Sequence, residues 1–289
     1  MDLFLQQTLA GISNGAIYAA LALALVMIFN TTGHINFAQG EMALLGTYIA
    51  WTLLAAGLPY WLAFVITVVA AFIFGVSVDR LVIRRFRNAP HLALVVVFVG
   101  LLLAFNAAAG WIWGFTIKDF PSPVSGLSTG TVLIGAHSLF AILVSLGLLS
   151  LLFLFFRFTL LGLAMRAAAR NPASARLLGI RVERMLALGW GLASVLGTVA
   201  GLLIAPVTYL EPGMMMSVLL YAFASAMLGG MNSPGGAVLG GLLFGVLENL
   251  AGTYLIGNDL KLSFALAVVV TVLVIRPNGL FGRPDVKRV

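Results

Sequence analysis

The chain has 289 residues, of which 62% are hydrophobic and 9% charged, with no cysteine and a formal net charge of +7. A soluble domain carries about 25% charged residues, and polar side chains this sparse cannot cover a water-facing surface. The composition therefore predicts an all-α, polytopic transmembrane helical bundle, and the missing cysteines exclude disulfides, thiolate metal sites and thiol catalysis.

A span needs about 20 apolar residues, so the apolar content suffices for roughly eight to ten membrane segments. Apolar runs fall near 8–29, 37–56, 60–79, 91–115, 137–156, 185–206, 217–231, 235–256 and 262–275. They are continuous and lack the alternation of a membrane barrel. The run 217–231 is short for a full span, and the bundle is expected to include broken or re-entrant helices. Residues 1–289 read as one transmembrane domain. Its first residues, MDLFLQQ, have no basic region and no small-residue cleavage site, and read as the lead-in to the first span.

The positive charge is sorted. Fourteen of the sixteen Lys and Arg residues lie in three stretches: Arg80, Arg84, Arg85 and Arg87; Arg157, Arg166, Arg170, Arg176, Arg181 and Arg184; and Arg276, Arg283, Lys287 and Arg288. Only Lys118 and Lys261 lie elsewhere. By the positive-inside rule all three stretches are cytoplasmic, with the N-terminus outside and the 276–289 tail inside. The charge thus reports orientation against a lipid bilayer with anionic headgroups, and no nucleic acid is implied.

In chain order, the first informative stretch is Asn30 to Glu41, a dense polar run between two apolar segments without Lys or Arg. It reads either as a short solvated loop or as a broken helix whose backbone and amides line a translocation path. In the second case Asn36, Gln39 and Glu41 begin the next helix, where N–H groups favour a carboxylate while Glu41 favours an ammonium. The three histidines, His34, His91 and His137, are far apart and have no ligand spacing. The 116–136 loop, rich in Pro, Ser and Gly, is predicted to be external.

The cytoplasmic loop 157–184 is longer than a connection needs. Leu160 to Arg170 predicts a short helix with Arg166 and Arg170 one turn apart. Asn171 then suits an N-cap and Pro172 the first helical position of a second short helix ending at Gly179. The loop is either an amphipathic element lying on anionic lipid or a docking element for a cytoplasmic partner. Glu211, beside Pro212 and Gly213, sits in a predicted external turn, solvated or docking an external partner.

Gly229 to Gly236, with Asn232, Ser233 and Pro234, would break a helix. Small residues four apart (Gly11 with Gly15, Gly197 with Gly201, Gly236 with Gly240, Gly241 with Gly245) put a narrow face on each helix and allow close packing. Glu248 and Asn249 lie inside an apolar segment, where a carboxylate faces the bundle interior or a wet cavity, or makes an interhelical hydrogen bond.

These residues resemble the permeases of high-affinity branched-chain amino acid ABC importers, relatives of the urea and short-chain amide permeases. The likeness rests on NFAQGE running to LGTY at 36–48, on Ala167 to Ile180, on GGMNSPGGAVLGGLLFGVLE at 229–248 and on RPNGLFG at 276–282. It implies a bacterial inner-membrane subunit with several partners: a second, homologous permease, two cytoplasmic ATPases that carry Mg-ATP, and an external solute-binding protein. This chain has no Gly-rich phosphate loop before a lysine, so it holds no cofactor and cannot hydrolyse ATP itself. The resemblance also implies a coupling helix at 172–180, made of Pro172, Ala173, Arg176, Leu177, Leu178, Gly179 and Ile180. No acid lies between Phe120 and Val182, so docking through Leu177, Leu178 and Ile180 is expected over docking through acid–arginine pairs. On this reading Asn36, Gln39, Glu41, Asn232, Glu248 and Asn249 line the path, and Gly236, Gly240, Gly241 and Gly245 pack helices. The solute is leucine, isoleucine or valine by default, with other amino acids, urea and amides open. The rivals are an ion-coupled secondary transporter using Glu41 and Glu248, and a membrane-embedded enzyme, for which no constellation of acids or histidines is visible.

Overall fold

Every apolar run of the sequence becomes a helix in the computed structural model, which describes residues 2–87, 89–125 and 134–282. Arg283, Lys287 and Arg288 of the third basic stretch, and 126–133 of the Pro/Ser/Gly loop, lie outside the described residues. In chain order the helices are α1 (Asp2–Thr32), α2 (Gln39–Ala55), α3 (Tyr60–Phe86, with a π-helical turn at Asp79–Ile83), α4 (His91–Trp113), α5 (Ala136–Phe158), α6 (Leu160–Arg170), α7 (Pro172–Leu177), α8 (Val182–Thr208), α9 (Met214–Gly229), α10 (Pro234–Ile256) and α11 (Asn258–Ile275). Among the described residues seven, α1, α3, α4, α5, α8, α10 and α11, are long and apolar enough to cross a membrane. The helices α2 and α9 are shorter, at 17 and 16 residues.

The bundle is built around α1 and α8. Their apolar windows are 83% buried, against 11% for α11, which therefore faces outward with α4 and α5. Leucines on the outer helices, such as Leu103, Leu143 and Leu266, stay exposed as lipid-facing surface. Lipid offers no hydrophobic drive for helices to associate, so the central contacts depend on closeness. Gly11, Gly15 and Ala19 of α1 meet Gly241 and Gly245 of α10 backbone to backbone. Gly236 and Gly240 meet Gly229 and Ser225 of α9 in the same way, and Gly197 and Gly201 of α8 admit Gln39, Ala43 and Thr47 of α2.

The arginines gather at one end. Arg80, Arg84, Arg181 and Arg184 border one cleft there, and Arg157 and Arg166 border another beside the first residues of α10. The segment after α11 returns to this basic end, where Leu280 N donates to Leu228 O (2.8 Å) and Phe281 N to Gly229 O (3.1 Å). Gly230 and Gly279 have φ of +112° and +75° and lie against each other, so a side chain at either is both strained and obstructed. The RPNGLFG motif is thus a clasp on the end of α9, a role that its position in a tail does not reveal. Lys118 lies at the opposite end, where its backbone pairs with Leu210.

Candidate functional site: two short helices meeting inside the bundle

The chain turns back after Thr32 through Gly33, at φ +72°, and re-enters the bundle as Gln39 begins α2. Gln39 Nε2 donates to Ala193 O at 2.9 Å. Ala193 lies about 16 Å along α8 from its start at Val182, at 1.5 Å per residue. The helix α2 therefore starts well inside the bundle and continues to the opposite end. The first turn of α9 starts at the same depth, with Met215 O and Leu219 against Gly40, and runs the other way to the basic end. A polar break of this kind survives in lipid only where protein satisfies its backbone.

The break is satisfied partly within itself and partly by α4 and α8. Asn36 and Gln39 are wholly buried and Glu41 is 4% exposed. Asn36 Oδ1 accepts from Ala38 N (3.1 Å), and Asn36 Nδ2 donates to Gln39 Oε1 (3.2 Å). Glu41 Oε2 accepts from Asn106 Nδ2 of α4 (3.1 Å), and the same nitrogen donates to Pro212 O (2.7 Å) ahead of α9. One amide thus ties α2, α4 and the lead into α9. In the sequence Asn106 is a lone amide in an otherwise apolar run, and nothing local ties it to Glu41. Its replacement by valine is expected to leave a buried carboxylate without its donor, at about 1–3 kcal/mol. A lowered melting temperature of the purified protein, restored in Asn106→Gln, checks this.

Glu248 and Asn249 do not join this group. They belong to a second one toward the opposite end, between α1, α10 and α11. Lys261 Nζ lies 3.3 Å from Glu248 Oε1 and donates to Asn249 Oδ1 (3.2 Å). Asn249 Nδ2 donates to the backbone oxygen (2.7 Å) and Oε1 (2.8 Å) of Gln7. A carboxylate 1% exposed beside an ammonium is a neutral pair holding three helices together. The sequence flagged Lys261 only as a lysine outside the basic stretches. Asn232 is in neither group: it is exposed in the turn between α9 and α10, at the basic end. The six path candidates therefore occupy three places.

At the basic end, α6 and α7 follow their local signals closely. Thr159 caps α6 by accepting from Gly162 N (3.0 Å), and Asn171 Oδ1 caps α7 by accepting from Ser174 N (3.0 Å), with Pro172 in the first turn. Gly179, at φ +78°, ends the turn. Ile180 packs with Ala168, Ala175, Val182 and Leu186, so it seats α7 on the bundle instead of reaching outward. Arg176 does the same through Glu183 (2.9 Å), while Pro172 and Ala173 lie on the surface. Leu177 and Leu178 are left 90% and 79% exposed.

Among the described residues no group of three His, Asp or Glu is placed to hold a metal ion. His137 instead joins Ser122 Oγ (3.0 Å) to Leu203 O (2.8 Å). A multi-pass bundle whose interior holds two opposed short helices is the build of a membrane permease.

The model of the permease component of branched-chain amino acid transport systems matches residues 7–275, and the chain belongs to that family. It is 32% identical over 302 residues to the high-affinity branched-chain amino acid transport permease BraD of Pseudomonas aeruginosa, covering 99% of this chain and 98% of that one. The corresponding permease LivH of Escherichia coli is 31% identical over 307 residues, with the same coverage. A probable LivH of Methanocaldococcus jannaschii is 30% identical over 280 residues, 91% of this chain and 87% of that one. Among solved structures, PsaBC from Streptococcus pneumoniae in complex with Fab superposes with a TM-score of 0.51 at 12% identity, covering 93% and 91% of the two chains. That likeness concerns the fold alone.

Proposed function

We propose that this chain is one half of the pore of an ATP-driven importer of leucine, isoleucine, valine or similar small amino acids in a bacterial inner membrane. The other half is a second, homologous permease. Two ATPases bind Mg-ATP at the cytoplasmic face, and an external binding protein delivers solute. The basic end is then cytoplasmic, as the sorting of arginines supports, with the N-terminus outside and the 276–289 tail inside. The polar break at Asn36, Gln39 and Glu41 is the closed gate: its hydrogen bonds must open, and α2 and α9 part, for solute to pass. Asn232, Glu248 and Asn249 border the moving helices without forming part of that gate.

The observation that carries this reading is α7. A capped helix of six residues, pinned from beneath by Ala175 and Ile180, presents two adjacent leucines at the basic end. Two adjacent leucines this exposed, on a capped helix among the arginines of the basic end, fit an apolar groove on an ATPase. Leu177→Asp with Leu178→Asp is expected to lower ATPase co-purification and solute-driven ATP hydrolysis at least tenfold, with membrane insertion unchanged. Normal recovery of the ATPases with this variant would defeat the assignment. Pairing of Glu248 with Lys261 leaves no unpaired charge for an ion-coupled carrier at that position.

A further inference from the structure

The cleft bordered by Arg157 and Arg166, about 530 Å³, opens at the basic end between α1, α5, α6, α8 and α10, and its lining includes neither Asn36, Gln39 and Glu41 nor any residue of α7. Its walls are apolar, with Leu149, Phe153, Phe156, Met165, Met185 and Val238 among them, and two cations, Arg157 and Arg166, stand at its rim. Neither arginine belongs to any ion pair among the described residues: these join Arg87 to Asp79, Arg176 to Glu183 and Lys261 to Glu248. The volume falls in the range of roughly 300–1,000 Å³ typical of small-molecule sites. The helix α6 beside it buries Gly162, Met165 and Ala168 and leaves Leu160, Leu161 and Leu163 exposed. Such a helix lies along the headgroup boundary of a bilayer.

We propose that this cleft seats one anionic phospholipid of the adjacent leaflet. Its phosphate bridges Arg157 and Arg166, and an acyl chain follows the apolar wall between α5 and α8. The charge decides the occupant. Each unpaired guanidinium presents a planar fork of donors that can meet two oxygens of a phosphate, and a free amino acid would leave most of the apolar wall uncovered. Methionine lining suits a chain of variable shape. Each arginine near the membrane surface favours an anionic lipid by roughly fivefold, so the pair favours it on the order of 25-fold over a zwitterionic one. The lipid would join α5 and α6 to the central helices beneath the coupling element.

The test uses the full chain, purified with the subunits it assembles with from vesicles of equal phosphatidylglycerol and phosphatidylcholine. Bound lipid per permease is counted by mass spectrometry, which does not depend on transport. At least one phosphatidylglycerol is expected to remain, with the ratio of phosphatidylglycerol to phosphatidylcholine at the site falling on the order of 25-fold in Arg157→Gln with Arg166→Gln. Gly189→Leu is the second variant. A β-carbon there meets only the Met165 methyl, at 3.8 Å, so leucine projects into the cleft from α8 and should displace the acyl chain from that wall. Arg181→Gln with Arg184→Gln, in the other arginine cleft, should retain it. Unchanged phosphatidylglycerol in the first two variants, equal loss in the third, or an assembled transporter that carries none because another subunit covers the cleft would each overturn the proposal.

Discussion

Gly245→Leu should yield no folded permease. The helix α10 crosses α1 where Gly245 faces the backbone of Gly15 and Gly11, and a β-carbon on it would overlap main-chain atoms that no rotamer change can move. Extra methylenes in a packed core cost about 1–3 kcal/mol when side chains can give way. Here they cannot, and parting the helices would also open the contacts of Gly241 with Ala19. The expected result is loss of the monodisperse peak on fluorescence-detected size exclusion. Gly147→Leu is the control, because the α5 position has open space where its side chain would go. Normal folding of Gly245→Leu would refute the close crossing.

Lys261→Met should destabilise the protein by roughly 3–5 kcal/mol, the usual cost of stranding one member of a buried pair. The asymmetry of burial sets the direction. Glu248 is 1% exposed and cannot reach water, whereas Lys261 is 19% exposed and can. Removing the lysine therefore harms more than removing the acid. Glu248→Gln with Lys261→Met should recover most of the loss and retain ATP-driven uptake, since neither charge then needs solvation. Unfolding in increasing denaturing detergent measures the first effect and vesicle uptake the second. A double variant as unstable as Lys261→Met would show that the pair does more than neutralise itself.

Local signals proved the most readable part of the chain. The bounds of α6, the Asn171 cap, Pro172 and the Gly179 stop were all visible in sequence because each depends on neighbours within a turn. The small-residue stripes were legible as faces, but their partners were not: nothing near Gly15 says that it meets Gly241. The site suffered most from this. Glu41 and Glu248 look alike in sequence, as lone acids in apolar surroundings, yet one takes an amide from α4 and the other an ammonium from α11. Ile180 similarly resembles Leu177 and Leu178 until the bundle decides which of the three it covers.

The crossing of α1 by α10 has a consequence for biogenesis. The helix α1 leaves the ribosome well before its partner, because the glycine face that closes on it begins only at Pro234, long after Thr32 ends α1. At elongation speeds of about 5–20 residues per second the wait lasts on the order of tens of seconds. Throughout that interval the future centre of the molecule sits as an orphan in lipid, its notch of small residues open to whatever helix drifts past. Messages truncated before Pro234 should therefore give products that membrane proteases clear quickly.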